Sequence, residues 1–214
     1  MNYTKLFTEI KTASYKKTGD DVDYCIHVDS NEKQIKLLFQ ESSSSRDWEI
    51  NLNFPAKVYK QQKSCLKAHR GFALAYKSAN DKIMEELEGY MKVMDDYSVL
   101  IAGWSLGGAL AVLAAEDFYF RFNKQAVLVT FGAPKVLFGS QSKFYLRDCI
   151  SKCFQIANHN DLVTYLPPFP GYTHICLPKC WRVGEPLSFW KLLKPKIYHT
   201  NYDNPRIYQK TQKN

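Results

Sequence analysis

The sequence predicts an α/β fold: a mostly parallel central sheet with helices on both faces. Two observations lead there. Short apolar runs rich in Val, Ile and Leu alternate along the chain with longer segments of helical period. One junction between them, "SVLIAGWSLGGALAVLAAEDF" at residues 98–118, runs from apolar strand to apolar helix through glycines that flank a serine. At 214 residues the chain fits one domain, 1–214, closed around a single core.

Taken in order, the first 18 residues hold a short amphipathic helix with Leu6, Ile10 and Ala13 on one face. "DYCIHVD" and "QIKLLFQ" flank the polar turn "SNEK" and read as a hairpin. In "GFALAYKSANDKIMEELEGYMKVM", Phe72, Tyr76, Ile83, Leu87, Tyr90 and Met94 fall close to a helical stripe. "YSVLIAG" is a buried strand and residues 106–122 a helix. "QAVLVTFGAP" is the next strand, stopped by Gly132 and Pro134. "SQSKFYLRDC" reads as a helix, "CFQIAN" as a strand and "YTHICL" as a further strand.

Hydrophobic residues make up 45% and charged residues 23%, the balance of a globular chain. No apolar run approaches the roughly 20 residues of a membrane-spanning helix. The start, "MNYTKLFTEIKTASYKKTG", carries no uninterrupted apolar segment, so a cytoplasmic protein is the default expectation, with export by another route left open. The formal charge of +8 favours anionic partners such as a lipid surface. No Lys/Arg-rich block with interleaved aromatics is present, which argues against nucleic acid. Four of the six cysteines form "CISKC" and "CLPKC", compatible with disulfides, a zinc site or ordinary packing.

Gly103-Trp104-Ser105-Leu106-Gly107 matches G-x-S-x-G at the one place where that pattern has a mechanism, a turn from strand to helix. A tight turn there lifts the hydroxyl clear of the sheet, and glycines relieve the crowding. The helix start adds N–H groups suited to a developing negative charge. A serine nucleophile needs a base and an orienting carboxylate, downstream in the order acid then histidine. Of five histidines, His27, His69 and His174 sit in strand-like or apolar surroundings and read as structural. His159 and His199 remain. Asp161 lies just past a buried strand end, whereas Asp117, Asp148 and Asp203 lie in helices or near the terminus. The chemistry favours Ser105, Asp161 and His199.

Several motifs, in order, resemble the class 3 lipases, the fungal-lipase-like group of α/β-hydrolases. "FQESSSSRDWEINLNF" looks like the family's F-R-G-[ST] oxyanion and lid segment, and "AHRGFALAY" like its H-x-G-F entry to a helix. "GWSLGGALA" is similar to G-H-S-L-G-G-A, and "TFGAPKV" to F-G-x-P-R-V. "NHNDLVTYLPP" resembles N-x-x-D-x-V-P-x-L-P-P, "GYTHI" resembles G-[FY]-x-H, and "YHTNY" the terminal D-H-x-x-Y. The resemblance spans about residues 22 to 203.

That resemblance implies the α/β-hydrolase fold, Ser105 as nucleophile, Asp161 as acid and His199 as base, with His174 outside the triad. It implies oxyanion donors at Ser42, by N–H and hydroxyl, and at the Leu106 N–H. Residues 43–54 correspond to a lid, with Trp48 near its middle. The chain departs from the pattern at Gln40-Glu41, which replace Arg-Gly, at Trp104 for histidine, at Tyr198 for aspartate and at Cys176 for glycine. The expected activity is hydrolysis of lipid esters, acylglycerols or phospholipids, with no metal and no cofactor. A carboxylesterase for small soluble esters and a hydrolase-like binding protein are the other readings. Lys57, Lys60, Lys63, Lys67 and Arg70 follow the lid segment closely and suggest contact with anionic membrane.

Overall fold

The computed structural model describes residues 1–19, 22–40, 58–60, 66–175, 180–183, 199–205 and 208. The lid-like segment 43–54 and Ser42 lie outside the described residues, as do Cys65 and Cys176.

Helix α1 (Tyr3–Thr12) starts where the Asn2 side chain accepts the Lys5 N–H at 3.0 Å. Its buried face is Leu6, Phe7 and Ile10. Strands β1 (Lys16–Thr18), β2 (Val22–Asp29) and β3 (Gln34–Phe39) follow, and the expected hairpin closes with Asp29 opposite Gln34. Two short strands, β4 (Val58–Lys60) and β5 (Lys67–His69), lead into α2 (Arg70–Val93). Then come β6 (Ser98–Trp104), α3 (Leu106–Phe122) and β7 (Ala126–Phe131). The short β8 (Leu137–Phe138), α4 (Ser140–Asp148) and β9 (Ile150–Asn158) complete the central part. The 3₁₀ turn Leu162–Tyr165, β10 (Tyr172–Thr173), β11 (Cys180–Val183) and the 3₁₀ turn Asn201–Asp203 end the described chain.

Seven strands form the main sheet in the order β1-β2-β3-β6-β7-β9-β11. From β3 to β11 all neighbours are parallel, and only the β1–β2–β3 edge is antiparallel. Strands β6 and β7 are buried on both sides, which explains their continuous apolar runs. One face carries α1, whose Leu6, Phe7 and Ile10 meet Leu38, Leu100, Val129, Phe131 and Ile156. The other face carries α2 and α3, which bury Phe72, Tyr76, Ile83, Leu87, Leu110 and Phe118 against Leu37, Ile101 and Leu128. Helix α3 is apolar on every side over residues 106–115 because it lies between the sheet and α2.

Among the described residues, "YTHICL" does not extend the main sheet: Tyr172–Thr173 pair antiparallel to β8, in a small second sheet of order β10-β8-β5-β4. His174 then turns inward to bond the Thr164 carbonyl, and the last strand of the main sheet is β11. Alternation over six residues fixes neither partner nor sheet. "CISKC" is packing rather than a disulfide: Cys149 and Cys153 take part in no disulfide, and neither does Cys25. Cys149 is buried, its thiol donates to the Tyr145 carbonyl at 3.4 Å, and burial pushes it up to about 11. Among the described residues no helix is long and apolar enough to cross a membrane.

Candidate active site

Strand β6 delivers Ser105 to the start of α3 in a backbone conformation of φ 58° and ψ −124°. This is a positive-φ position that a residue with a side chain holds only under constraint. The constraint is visible. The Ser105 N–H donates to the Phe131 carbonyl at 2.9 Å, and its carbonyl accepts from Gly108 at 3.0 Å and Ala109 at 3.3 Å. A Cβ on Gly103 would collide with the Gly107 carbonyl, and one on Gly107 with the Phe39 carbonyl. The two glycines are therefore required by close backbone approach, as the motif suggests.

Asp161 follows the end of β9 and is fully buried. It caps the 3₁₀ turn Leu162–Tyr165, with Oδ1 accepting the Val163 N–H at 3.0 Å. Its Oδ2 accepts two further bonds, from His199 Nδ1 at 2.8 Å and from the Tyr202 hydroxyl at 2.6 Å. The carboxylate offers only acceptors, so Nδ1 carries a proton and donates it to Asp161. His199 Nε2 and Ser105 Oγ are both buried and without a hydrogen-bond partner among the described residues. The structure thus joins His199 to Asp161 but shows no bond between His199 Nε2 and Ser105 Oγ.

The site is assembled from distant parts of the chain. Gly132 follows the carbonyl that holds Ser105; a Cβ there would lie 2.7 Å from Asp161 Oδ2 and 3.1 Å from His199 Nδ1. Trp104 donates its indole N–H to the His199 carbonyl at 3.1 Å. Tyr202 accepts the Asn158 N–H at 2.9 Å while donating to Asp161. Burial, followed by the charge on Asp161, drives its hydroxyl well above the ordinary tyrosine value, so it stays a donor. Phe7 of α1 is fully buried and touches Trp104, Phe131 and Tyr202, with ring centroids 5.5, 5.1 and 5.5 Å away. Sequence reasoning quoted "YHTNY" without giving Tyr202 a role, and it missed the Trp104 and Phe7 contacts. The tyrosine three residues after His199 was the available signal.

The competing residues are occupied elsewhere. Asp117 accepts from the Tyr76 hydroxyl at 2.9 Å and from Arg121 at 2.8 Å inside the α2–α3 contact. Asp148 is exposed on α4, and Asp203 pairs with Lys11 at 2.8 Å. His27 is exposed on β2, and the His159 carbonyl accepts from Tyr165 at 3.1 Å in the loop before Asp161. His69 lies against Phe72, with ring centroids 4.5 Å apart and planes tilted by 38°, and burial lowers its basicity. His174 Nε2 holds the Thr164 carbonyl at 2.7 Å, a bracing role for the turn that follows Asp161. Leu106 is the first residue of α3, where main-chain N–H groups have no intrahelical partner.

A parallel sheet, a serine at a strained strand-to-helix turn and a buried Asp–His pair define an α/β-hydrolase. The chain belongs to the lipase (class 3) family, whose model matches residues 37–170. It is similar to a lipase of Rhizomucor miehei, 30% identical over 159 residues, covering 72% of this chain and 43% of the relative. It is also similar to secreted mono- and diacylglycerol lipase A of Penicillium cyclopium, 30% identical, covering 79% and 56%. The solved Rhizomucor miehei lipase–propeptide complex superposes with a TM-score of 0.68 at 25% identity, over 80% of this chain and 64% of that one. A triacylglycerol lipase described as having a serine protease triad as its catalytic centre gives a TM-score of 0.65 at 28% identity, covering 72% and 60%. The chain spans about half the length of the curated relatives it matches. Relatives from Penicillium cyclopium and Fusarium solani are described as secreted, which overturns the cytoplasmic expectation. A missing apolar run describes the first residues of this sequence, not the compartment of the protein.

Proposed function

We propose that the protein hydrolyses lipid esters through an acyl-enzyme on Ser105, with His199 as general base and Asp161 as orienting carboxylate. The observation that carries this reading is the buried 2.8 Å bond from His199 Nδ1 to Asp161 Oδ2, beside a serine held at positive φ. In the proposed sequence, His199 Nε2 removes the Ser105 proton as Oγ attacks the ester carbonyl. Asp161 holds the tautomer and stabilises the imidazolium. The imidazolium then protonates the leaving alcohol, and a water activated at the same Nε2 releases the acid. The Leu106 N–H and Ser42 are proposed as donors to the tetrahedral oxyanion; losing one such donor costs about 2.7–4 kcal/mol of barrier.

Lipid rather than small soluble esters is favoured by exposed apolar side chains on the segment that follows Asp161. Leu162 and Phe169, on the segment after Asp161, are each 37% exposed. The net charge of +8 favours an anionic lipid surface over a neutral one. The test is a panel of emulsified acylglycerols, phospholipid vesicles and soluble short-chain esters, run beside Ser105→Ala. Turnover should rise when substrate aggregates, and Ser105→Ala should lose at least about 1,000-fold. Equal rates for Ser105→Ala and parent would end the reading. A rate indifferent to aggregation would favour the soluble carboxylesterase.

A further inference from the structure

Trp104 stands directly before Ser105, where the resembling family commonly has histidine, and the proposed reaction makes no use of its side chain. The indole is only 8% exposed. Its N–H donates to the His199 carbonyl at 3.1 Å, and its ring centroid lies 5.6 Å from that of the imidazole with the planes at 37°. Phe7 backs it edge-on, with ring centroids 5.5 Å apart and planes at 78°. One side chain thus links the strand end that presents the nucleophile to the main chain and the ring of the base.

We propose that Trp104 is a positioning residue for His199, its indole N–H fixing the main chain that carries the imidazole. The proposal rests on the triad reading above. A histidine located only by its bond to Asp161 is free to pivot about that bond, and Nε2 would swing relative to Ser105 Oγ. A second anchor on the main chain removes that freedom. Misplacement by about 1 Å is enough to slow a reaction about 100-fold. Once the imidazole has taken the Ser105 proton, the resulting cation also lies within the roughly 6 Å over which an indole ring attracts positive charge.

The test compares the parent with Trp104→Phe, which keeps a ring and removes the N–H. Circular dichroism and thermal unfolding monitor the fold. The expected result is a fall in kcat of about tenfold, corresponding to about 1.4 kcal/mol, with KM unchanged. The low-field proton resonance of His199 Nδ1–H should broaden or disappear in the same variant, and this readout does not depend on turnover. Should Trp104→Phe fail to fold, benzothienylalanine placed at position 104 keeps the bicyclic ring and replaces only the N–H by sulfur. It should give the same kcat-only loss of about tenfold, with the same change in the resonance. An unchanged kcat, a loss carried by KM, or an unchanged proton spectrum overturns the proposal. If the parent neither hydrolyses esters nor reacts at Ser105, the triad reading fails instead, and the proton spectrum alone decides the role of Trp104.

Discussion

Replacing Tyr202 by phenylalanine removes one oxygen from the centre of the site and leaves the ring in place. That oxygen donates to Asp161 Oδ2 at 2.6 Å and accepts from the Asn158 N–H at 2.9 Å. Tyr202 is fully buried, so solvent does not replace either bond. A hydrogen bond to a charged group contributes about 1.5–3 kcal/mol, and a buried N–H left without a partner costs about 1–3 kcal/mol. The two figures overlap, because the same hydroxyl serves both neighbours, and a destabilisation of about 3 kcal/mol is expected. The ring contacts with Phe7 and Phe131 survive the substitution. Asp161 keeps its bonds to the Val163 N–H and His199, so kcat should fall far less than in a triad variant, by about three- to tenfold. Urea unfolding followed by far-UV circular dichroism measures the first quantity, and hydrolysis of a soluble short-chain ester the second. A loss of stability below about 1 kcal/mol at unchanged m would refute the assignment of this hydroxyl to the Asp161 network.

Gly132→Ala places a Cβ 2.7 Å from Asp161 Oδ2 and 3.0 Å from the Tyr202 ring, at a residue with φ of 56°. Overpacking and strain together should cost about 2–4 kcal/mol in urea unfolding and depress kcat, because the Asp161–His199 pair has to move. Cys149, with its thiol pushed up to about 11 by burial, should resist alkylation at mildly alkaline pH until the protein unfolds; peptide mass spectrometry reads this directly. Tyr76 and Tyr202 both have hydroxyls raised well above 10.0 by burial. The unfolded chain therefore ionises first, so their contribution to stability is complete below pH 10 and is lost as pH rises toward the folded values. Urea midpoints should hold steady up to about pH 9 and fall above about pH 10, with tyrosinate absorbance from these two appearing only as the protein unfolds.

The parts of the fold that were legible are those whose signal is local. Residues 106–122 read as a helix and form one, and the runs around Val99–Gly103 and Val127–Phe131 read as buried strands because both their faces are covered. The sharp turn at Ser105 was legible for the same reason: the glycines and the serine lie within five residues, and the crowding they relieve is that of the turn itself. Asp161 was legible as a carboxylate just past a strand end. Tyr202 was not, because its partner lies 41 residues earlier and only tertiary folding joins them. The packing of Phe7 against three residues of the site was hidden likewise, since amphipathic periodicity says which face of α1 is buried and nothing about what covers it. The strands β4, β5, β8 and β10 are two or three residues long, too short for alternation to register. Asp117, a buried carboxylate downstream of Ser105, was set aside for lying in a helix, and the fold commits it to Tyr76 and Arg121.

The central claim, an activated Ser105, is tested most directly by reaction with a fluorophosphonate and location of the adduct by peptide mass spectrometry. The adduct should form on the peptide containing Ser105, about one per chain, and its rate of formation should collapse in His199→Ala and Asp161→Asn while both variants remain folded. A folded parent that gives no adduct at Ser105, or an adduct formed equally fast without His199, would contradict the account.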